Sequence, residues 1–165
     1  MTEPDRLARN TTRLMECHPV FGLRVSRIIA QLEGMGYRPR IQEAHRSAED
    51  EAKAVAAGTS QAHWSFHMAL TPEGDPDALA VDLLDDDHPV TPPNAYLLKL
   101  AAVASRHLCE TGILWGLAPA IRVKVHDAVA DGNWTAVLPI GWDPTHLQPV
   151  DVSLAQARRG IRPTV

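Results

Sequence analysis

The order in which helix and strand patterns follow one another is what most limits the fold of this chain. Helix patterns cover residues 20–35, 47–58 and 91–112. Strand patterns cover residues 37–44, 78–84, 121–125 and 134–140. Helices and strands are mixed without a regular βαβ alternation, which favours an α+β fold. We expect a single small domain in which helices flank a central antiparallel sheet.

The longest helix pattern has clear signals at both ends. Thr91 is a candidate N-cap, Pro92 fits the first helical position and Gly112 is the stop signal. In the preceding helix pattern, Ser47 is the candidate N-cap and Gly58 the stop signal. These signals predict two helices with defined boundaries.

Length and charge restrict the classes of partner. At 165 residues the chain suits one domain, spanning 1–165. The net charge is −4 and the 16 Lys and Arg residues form no dense run, so we expect no nucleic-acid partner. No apolar run approaches the about 18–20 residues of a membrane span. The first residues lack an apolar core after a basic patch, so we expect no signal peptide, and we expect a monomer.

Histidines and acids in the middle of the chain raise the question of a metal site. A hydrolytic zinc site needs about three protein ligands and one open position for a water molecule. The segment "HWSFH" places His63 and His67 four residues apart, which puts both on one face if the segment is helical. A protease of the HExxH type also needs glutamate in second place, and this chain has Trp64 there. We therefore reject the HExxH interpretation.

Two other clusters remain as candidates. One pairs His67 with Asp82, which follows the apolar run "ALAV"; the other pairs Asp143 with His146 in "WDPTHLQ". In a tight turn the second pair can place the histidine on a metal and the carboxylate beside its water. A single histidine on an apolar strand is usually a core or surface residue, so neither cluster is specific alone. A carboxylate such as Asp82 at the end of an apolar run nevertheless needs a partner or a metal.

The order of these clusters, with an arginine ahead of them, resembles a known family. The motifs run "AHRS" (44–47), "AVAAG" (54–58), "SFH" (65–67), "ALAVD" (78–82), "GILWGL" (112–117) and "WDPTHLQ" (142–148). In this order they are similar to those of the zinc peptidoglycan peptidases, which include D-alanyl-D-alanine carboxypeptidases, D-Ala-D-Ala dipeptidases and phage L-alanyl-D-glutamate endolysins. The resemblance covers residues 20–149 and implies the hedgehog/DD-peptidase-like α+β fold.

The resemblance implies a role for each matching residue. His67, Asp82 and His146 match the ligands of a Zn²⁺ cofactor. Asp143 matches the catalytic carboxylate that exchanges the proton of the attacking water, and an aspartate there is more similar to the endopeptidase branch than to the dipeptidase branch. Arg46 matches the arginine that polarises the scissile carbonyl, a task that suits a guanidinium because it stays charged.

Three further residues are candidates for binding the substrate. Ser65 matches the serine two positions before the first ligand. Trp115 lies in the segment that resembles the Gly-x-x-Trp-Gly piece of endolysin-type members, and we expect it to border the cleft. For His63 two interpretations stay open: a residue lining the cleft, or an ordinary surface histidine.

The chain departs from the family pattern SxHxxGxAxD in one respect. Asp82 lies fifteen residues beyond His67, and Ala78 stands where the pattern has glycine. The extra length contains "TPEGDPD", whose proline and glycine predict a surface turn between two strands. We expect the ligands still to converge, and whether the 68–77 insert gates the cleft stays open.

A second departure lies between Trp115 and Asp143. This stretch holds the strand patterns at 121–125 and 134–140, so we predict an added hairpin near the cleft.

These observations predict a zinc-dependent peptidase whose partner is the peptidoglycan stem peptide. The L-alanyl-D-glutamate bond is the first candidate and the D,D-carboxypeptidase bond the second. A non-catalytic zinc-bound virion or binding module, and a zinc peptidase or amidase of small free peptides, are the alternatives. With no signal peptide expected, the prediction is an enzyme made in the cytoplasm and acting on the cell wall after release of the phage-lysis type.

Overall fold

The computed structural model describes residues 1–58 and 64–165. Within these ranges the helices are α1 (Glu3–Leu14), α2 (Pro19–Gly34), α3 (Ala48–Ala56), α4 (Asn94–Arg106), α5 (Pro119–Ala130) and α6 (Leu154–Arg158), with a 3-10 turn at Phe66–Met68. The strands are β1 (Pro39–Glu43), β2 (Val81–Asp85), β3 (Cys109–Gly112) and β4 (Asp143–Pro149). In these two ranges no helix combines the length and hydropathy needed to cross a bilayer.

The four strands form one sheet in the order β1-β2-β4-β3, and every neighbouring pair is antiparallel. The predicted α+β class is therefore confirmed. β2 and β4 lie in the middle of the sheet, where Val81 pairs with Leu147 and Asp82 pairs with His146. Residues that are far apart in the chain thus become neighbours at the centre of the sheet.

The sheet has a covered face and an open face. Along β2, Val81 and Leu83 are fully buried while the intervening Asp82 is only partly buried, as expected when successive side chains point to opposite faces. On β4, Leu147 is fully buried and joins the same apolar core. The core also contains fully buried side chains of the helices, among them Phe21, Ile28, Leu32, Leu98 and Leu100. Asp82 therefore projects from the face opposite the helical core.

Helix α1 covers the outer edge of β1 with polar side chains. The Asn10 amide donates to the Pro39 carbonyl at 3.0 Å and accepts from the Ile41 N–H at 2.8 Å. Arg9 donates to the carbonyls of Ile41 and Gln42 at 2.8 and 2.6 Å. These side chains replace the hydrogen bonds of a further strand, so the edge is not left open for pairing with another chain.

Several predicted elements are confirmed. The 20–35, 37–44 and 47–58 patterns correspond to α2, β1 and α3, and the Ser47 hydroxyl accepts from the Asp50 N–H at 3.1 Å as an N-cap. The 78–84 pattern corresponds to β2, which begins at Val81. The insert is a surface turn, in which the Thr71 N–H donates to the Asp75 carbonyl at 2.9 Å.

The predicted hairpin between Trp115 and Asp143 is wrong. Residues 121–125 belong to helix α5, and residues 134–140 form no regular strand. Pro119 opens the helix in its first turn, and Val125 and Ala128, three residues apart, are buried on one side of it. Packing against α4 thus outweighs the β propensity of "IRVKV".

The predicted boundaries of the longest helix are also wrong. Its N-cap is Pro93 rather than Thr91, since a residue that precedes a proline, here Pro92, is disfavoured in helical conformation. The helix ends at Arg106, and Gly112 is instead the last residue of strand β3.

We predict that Asn10→Ala lowers the free energy of unfolding by about 1–3 kcal/mol, because the Ile41 N–H loses its acceptor in a buried position. Urea denaturation followed by circular dichroism measures this. Thr12→Ala, an exposed change on the same helix, is the control and should stay within about 0.5 kcal/mol. An Asn10→Ala protein as stable as the parent would contradict the role given to this amide.

Candidate metal centre

Three side chains from three different segments converge on the open face of the sheet. His67 comes from the 3-10 turn, Asp82 from β2 and His146 from β4. The His67 Nε2 atom lies 3.3 Å from His146 Nδ1 and 3.6 Å from Asp82 Oδ1, and the remaining pair, His146 Nδ1 and Asp82 Oδ1, is 3.5 Å apart. The predicted ligands therefore meet despite the longer interval between His67 and Asp82.

The opposite nitrogen of each imidazole is engaged by an acceptor. His67 Nδ1 lies 2.7 Å from the Ala44 carbonyl oxygen, which can only accept, so this nitrogen carries the proton. His146 Nε2 lies 3.1 Å from Gln148 Oε1. The Gln148 amide nitrogen donates to Glu110 at 2.8 Å, which turns its oxygen toward His146 and makes His146 Nε2 the donor.

These hydrogen bonds leave three acceptor atoms facing one another. With the protons on His67 Nδ1 and His146 Nε2, the inner nitrogens present lone pairs, and Asp82 presents a carboxylate oxygen. Burial alone would raise the pKa of Asp82, but the neighbouring His146 and His67 rings hold that pKa well below its usual range. Three lone pairs without a proton between them form a site for a cation.

The spacing of the three atoms fits zinc. Tetrahedral ligands at about 2.0–2.1 Å from a zinc ion lie about 3.3–3.4 Å from one another. The observed separations of 3.3, 3.5 and 3.6 Å are close to that value. Two imidazoles and one carboxylate are also a donor set that zinc accepts, and a set of three leaves a fourth position for water or substrate.

Asp143 lies beside this cluster at the start of β4. Its Oδ2 is 3.9 Å from His146 Nδ1, so it is adjacent to the three atoms but farther from them than they are from one another. Burial raises the pKa of Asp143, and the neighbouring Asp82 carboxylate raises it further. The pair Asp143 and His146 is thus carried by a strand rather than by a tight turn.

Strand β3 comes very close to the start of β4 at Gly112. A Cβ atom on Gly112 would lie 2.1 Å from the Asp143 carbonyl oxygen, so only glycine lets the two backbones meet here. The site depends on this close contact because it sets the position of Asp143.

Arg46 belongs to a partly buried polar network beside the cluster. Its backbone N–H donates to the His67 carbonyl at 3.0 Å, and its guanidinium pairs with Glu43 and, at 3.0 Å, with Glu51. The Ser65 hydroxyl donates to the same Glu51 oxygen at 3.1 Å. The hydrogen bond with Glu43 raises the pKa of Arg46 above its usual value despite the burial. Two predicted site residues are therefore held by one carboxylate.

Sequence reasoning missed Glu51. The side chain is 1% exposed, although the residue stands in the acidic first turn of α3, where an acid is ordinarily explained by the helix dipole. Only the position of α3 next to Arg46 distinguishes it from its acidic neighbours, and no local pattern carries that information.

A cavity of about 940 Å³ surrounds the cluster. Trp115 lies on its wall with its ring 5.0 Å from the His146 ring and 5.5 Å from the Trp142 ring, centroid to centroid. The other lining residues are Gln42, Glu43, Arg46, Gly58, Trp64, Ser65, Phe66, His67, Asp82, Asp143, His146, Gln148 and Leu154. Seven of the eight predicted site residues thus share one cavity, and the eighth, His63, lies outside the described residues.

The 68–77 insert does not contribute to the described lining of this cavity. It borders a separate depression of about 560 Å³, together with His18 and the end of the chain. Arg162 fixes it there, donating to the Leu70 carbonyl at 2.7 Å and pairing with Asp77. The described residues of the insert therefore line a different depression from the one that contains the candidate metal ligands.

Comparisons with known proteins identify a similar fold. No protein-family model and no curated protein sequence matches this chain. Among solved structures, the chain is similar to the L-Ala D-Glu endopeptidase ChiX of Serratia marcescens, with 22% sequence identity and a TM-score of 0.50. The alignment covers 86% of each chain. At this identity the similarity establishes the fold that the two proteins share.

We predict that Gln148→Leu weakens zinc binding about 10- to 100-fold, because His146 loses the acceptor that fixes its proton on Nε2. Competition with a chromophoric chelator measures the affinity. Gln42→Leu is the matched control, since Gln42 also lines the cavity but its side chain bonds to Arg40. Equal zinc affinity of Gln148→Leu and the parent would show that this glutamine does not orient the ligand.

Proposed function

We propose that this protein is a zinc-dependent peptidase that cleaves a stem-peptide bond of peptidoglycan, with the L-alanyl-D-glutamate bond as the first candidate. The observation that carries the proposal is the set of three lone-pair atoms of His67, Asp82 and His146 at zinc spacing, with Asp143 and Arg46 in the same cavity. The fold shared with an L-Ala D-Glu endopeptidase supports the choice of substrate.

His67, Asp82 and His146 would hold the zinc ion. When bound, zinc supplies a Lewis acid that lowers the pKa of a water molecule and polarises a carbonyl. Ala44 and Gln148 keep the two imidazoles in the tautomer that such binding needs.

Asp143 is proposed as the general base and then the general acid. Its carboxylate is next to the cluster without belonging to the three closest atoms, which is the position needed to take a proton from the attacking water. The same proton then passes to the leaving amine as the C–N bond breaks. A carboxylate whose pKa is raised is a stronger base than an ordinary aspartate, so it takes the proton of the water more readily.

Arg46 is proposed to donate hydrogen bonds to the oxygen of the scissile carbonyl as negative charge develops on it. A guanidinium carries five N–H donors in a fixed plane, so pairing with Glu43 and Glu51 orients it without using every donor. Ser65, held by Glu51, is proposed to bind the substrate backbone. Trp115 is proposed to shield His146 from bulk water, and the proposed cleft role of His63 rests on its position in the sequence.

We predict that Asp143→Ala lowers cleavage about 100- to 10,000-fold while zinc stays bound, because the water loses its base but the three ligands remain. Loss of turbidity of a peptidoglycan suspension measures the rate, and metal analysis measures the zinc. Asp127→Ala, on the exposed side of α5, is the control and should lyse like the parent. Undiminished lysis by Asp143→Ala would contradict this mechanism.

Identification of the new termini separates the candidate bonds. Cleavage of the first candidate exposes the amino group of D-glutamate, whereas a D,D-carboxypeptidase releases free D-alanine. A protein that binds zinc and yields no product from walls or from free stem peptides would be the non-catalytic module instead.

A further inference from the structure

The two sides of the cavity differ in chemistry. The β1 side contributes the charged residues Glu43 and Arg46. The side formed by β4 and the chain next to it contributes the Asp143 carboxylate together with Trp115, Trp142 and Gln148. Because β1 and β3 are the two edges of the sheet, with β2 and β4 between them, these walls stand on opposite sides of the metal ligands. We call them the charged wall and the aromatic wall.

Trp142 is the exposed part of the aromatic wall. Its side chain is 51% exposed, although it lines the cavity. The ring of Trp115 lies close to both Trp142 and His146, at centroid distances of 5.5 and 5.0 Å. The aromatic surface therefore runs outward from a metal ligand to the rim of the cleft.

Hydrogen bonds hold the backbone at Trp142, and its indole packs against a neighbouring turn. The backbone N–H of Trp142 donates to the Trp115 carbonyl at 3.3 Å, and the backbone N–H of Gly141 donates to the Ile113 carbonyl at 2.8 Å. Gly116 has a φ of +75°, and a Cβ atom there would lie 3.1 Å from Trp142 Cδ1, so the indole packs closely on this turn. A large apolar side chain that is both anchored and exposed in a cleft is typical of a binding surface.

We propose that Trp142 forms a sugar-binding subsite for the N-acetylmuramic acid ring next to the scissile bond. The inference rests on the proposed function. In a peptidoglycan stem, the amino side of the L-alanyl-D-glutamate bond carries an uncharged sugar, and the other side carries charged amino acids. The exposed indole fits the sugar end of such a substrate: the C–H face of the pyranose covers the Trp142 ring, while the scissile bond lies at the metal ligands and its carbonyl oxygen at Arg46.

Kinetics with two matched substrates test the subsite. One is a muramyl stem peptide, and the other is the same peptide with an acetyl group in place of the sugar. We expect Trp142→Ala to raise KM for the muramyl peptide about five- to tenfold, with kcat and the kinetics of the acetyl peptide unchanged within about twofold. Trp142→Phe should recover most of the loss.

Val137→Ala is the matched control. Val137 lies in the same segment and is 93% exposed, but it is not part of the described cavity wall. Its substitution should leave KM for both substrates unchanged. An equal loss on both substrates in Trp142→Ala would overturn the proposal, because Trp142 would then contact the peptide or support the fold.

A binding measurement separates this proposal from the proposed function. Titration of the protein with the N-acetylglucosamine–N-acetylmuramic acid disaccharide should shift the NMR signal of the Trp142 indole N–H, and Trp142→Ala should abolish saturable binding. If neither peptide is cleaved but the disaccharide still binds at Trp142, the peptidase assignment fails and the subsite stands. If both peptides are cleaved and the disaccharide shifts no signal of Trp142, the subsite fails and the peptidase stands.

Discussion

The antiparallel pairing of β2 with β4 is the contact on which the rest of the site depends. It places Asp82 directly opposite His146, while the neighbouring Leu83 and Leu147 point into the core. A shift of either strand by one residue would send the ligand into the apolar core and an apolar side chain into the cleft. The same apolar packing that stabilises the sheet therefore also sets the geometry of the candidate metal site. His67 completes the site from outside the sheet, through the bond between its carbonyl and the Arg46 N–H.

The convergence of His67, Asp82 and His146 could be predicted because chemistry limits which residues can bind a metal and because the motifs keep their order along the chain. The longer interval between His67 and Asp82 did not prevent their convergence, since the insert forms its own turn and returns the chain to the start of β2.

The sequence-based predictions were wrong where local propensity and tertiary packing disagree. Residues 121–125 alternate the β-branched Ile121, Val123 and Val125 with basic residues, yet α4 offers a surface that a helix covers. Glu51 could not be found, because its burial depends on the placement of α3 beside Arg46. Helix α1 was missed as well, and its value to the fold lies in bonds to an edge strand far along the chain.

The electrostatics of the cleft follow from which groups are acceptors. Ala44 and Gln148 fix the protons of the two imidazoles on the outside, so the inner atoms of His67, His146 and Asp82 have only lone pairs to offer. Arg46 brings positive charge near them, but Glu43 and Glu51 balance it. A bound divalent cation would compensate the remaining negative charge of Asp82 and Asp143. The site is thus organised for a cation, and it presents Asp143 and the Arg46 donors around the place where that cation would lie.

The measurement that tests this account most directly is anomalous diffraction at the zinc edge from crystals of the purified protein. We predict one strong peak on the open face of the sheet, about 2.0–2.2 Å from His67 Nε2, His146 Nδ1 and a carboxylate oxygen of Asp82. Absence of a peak from a zinc-supplemented crystal, or a peak bound by other side chains, would contradict the central claim that these three residues form a zinc site.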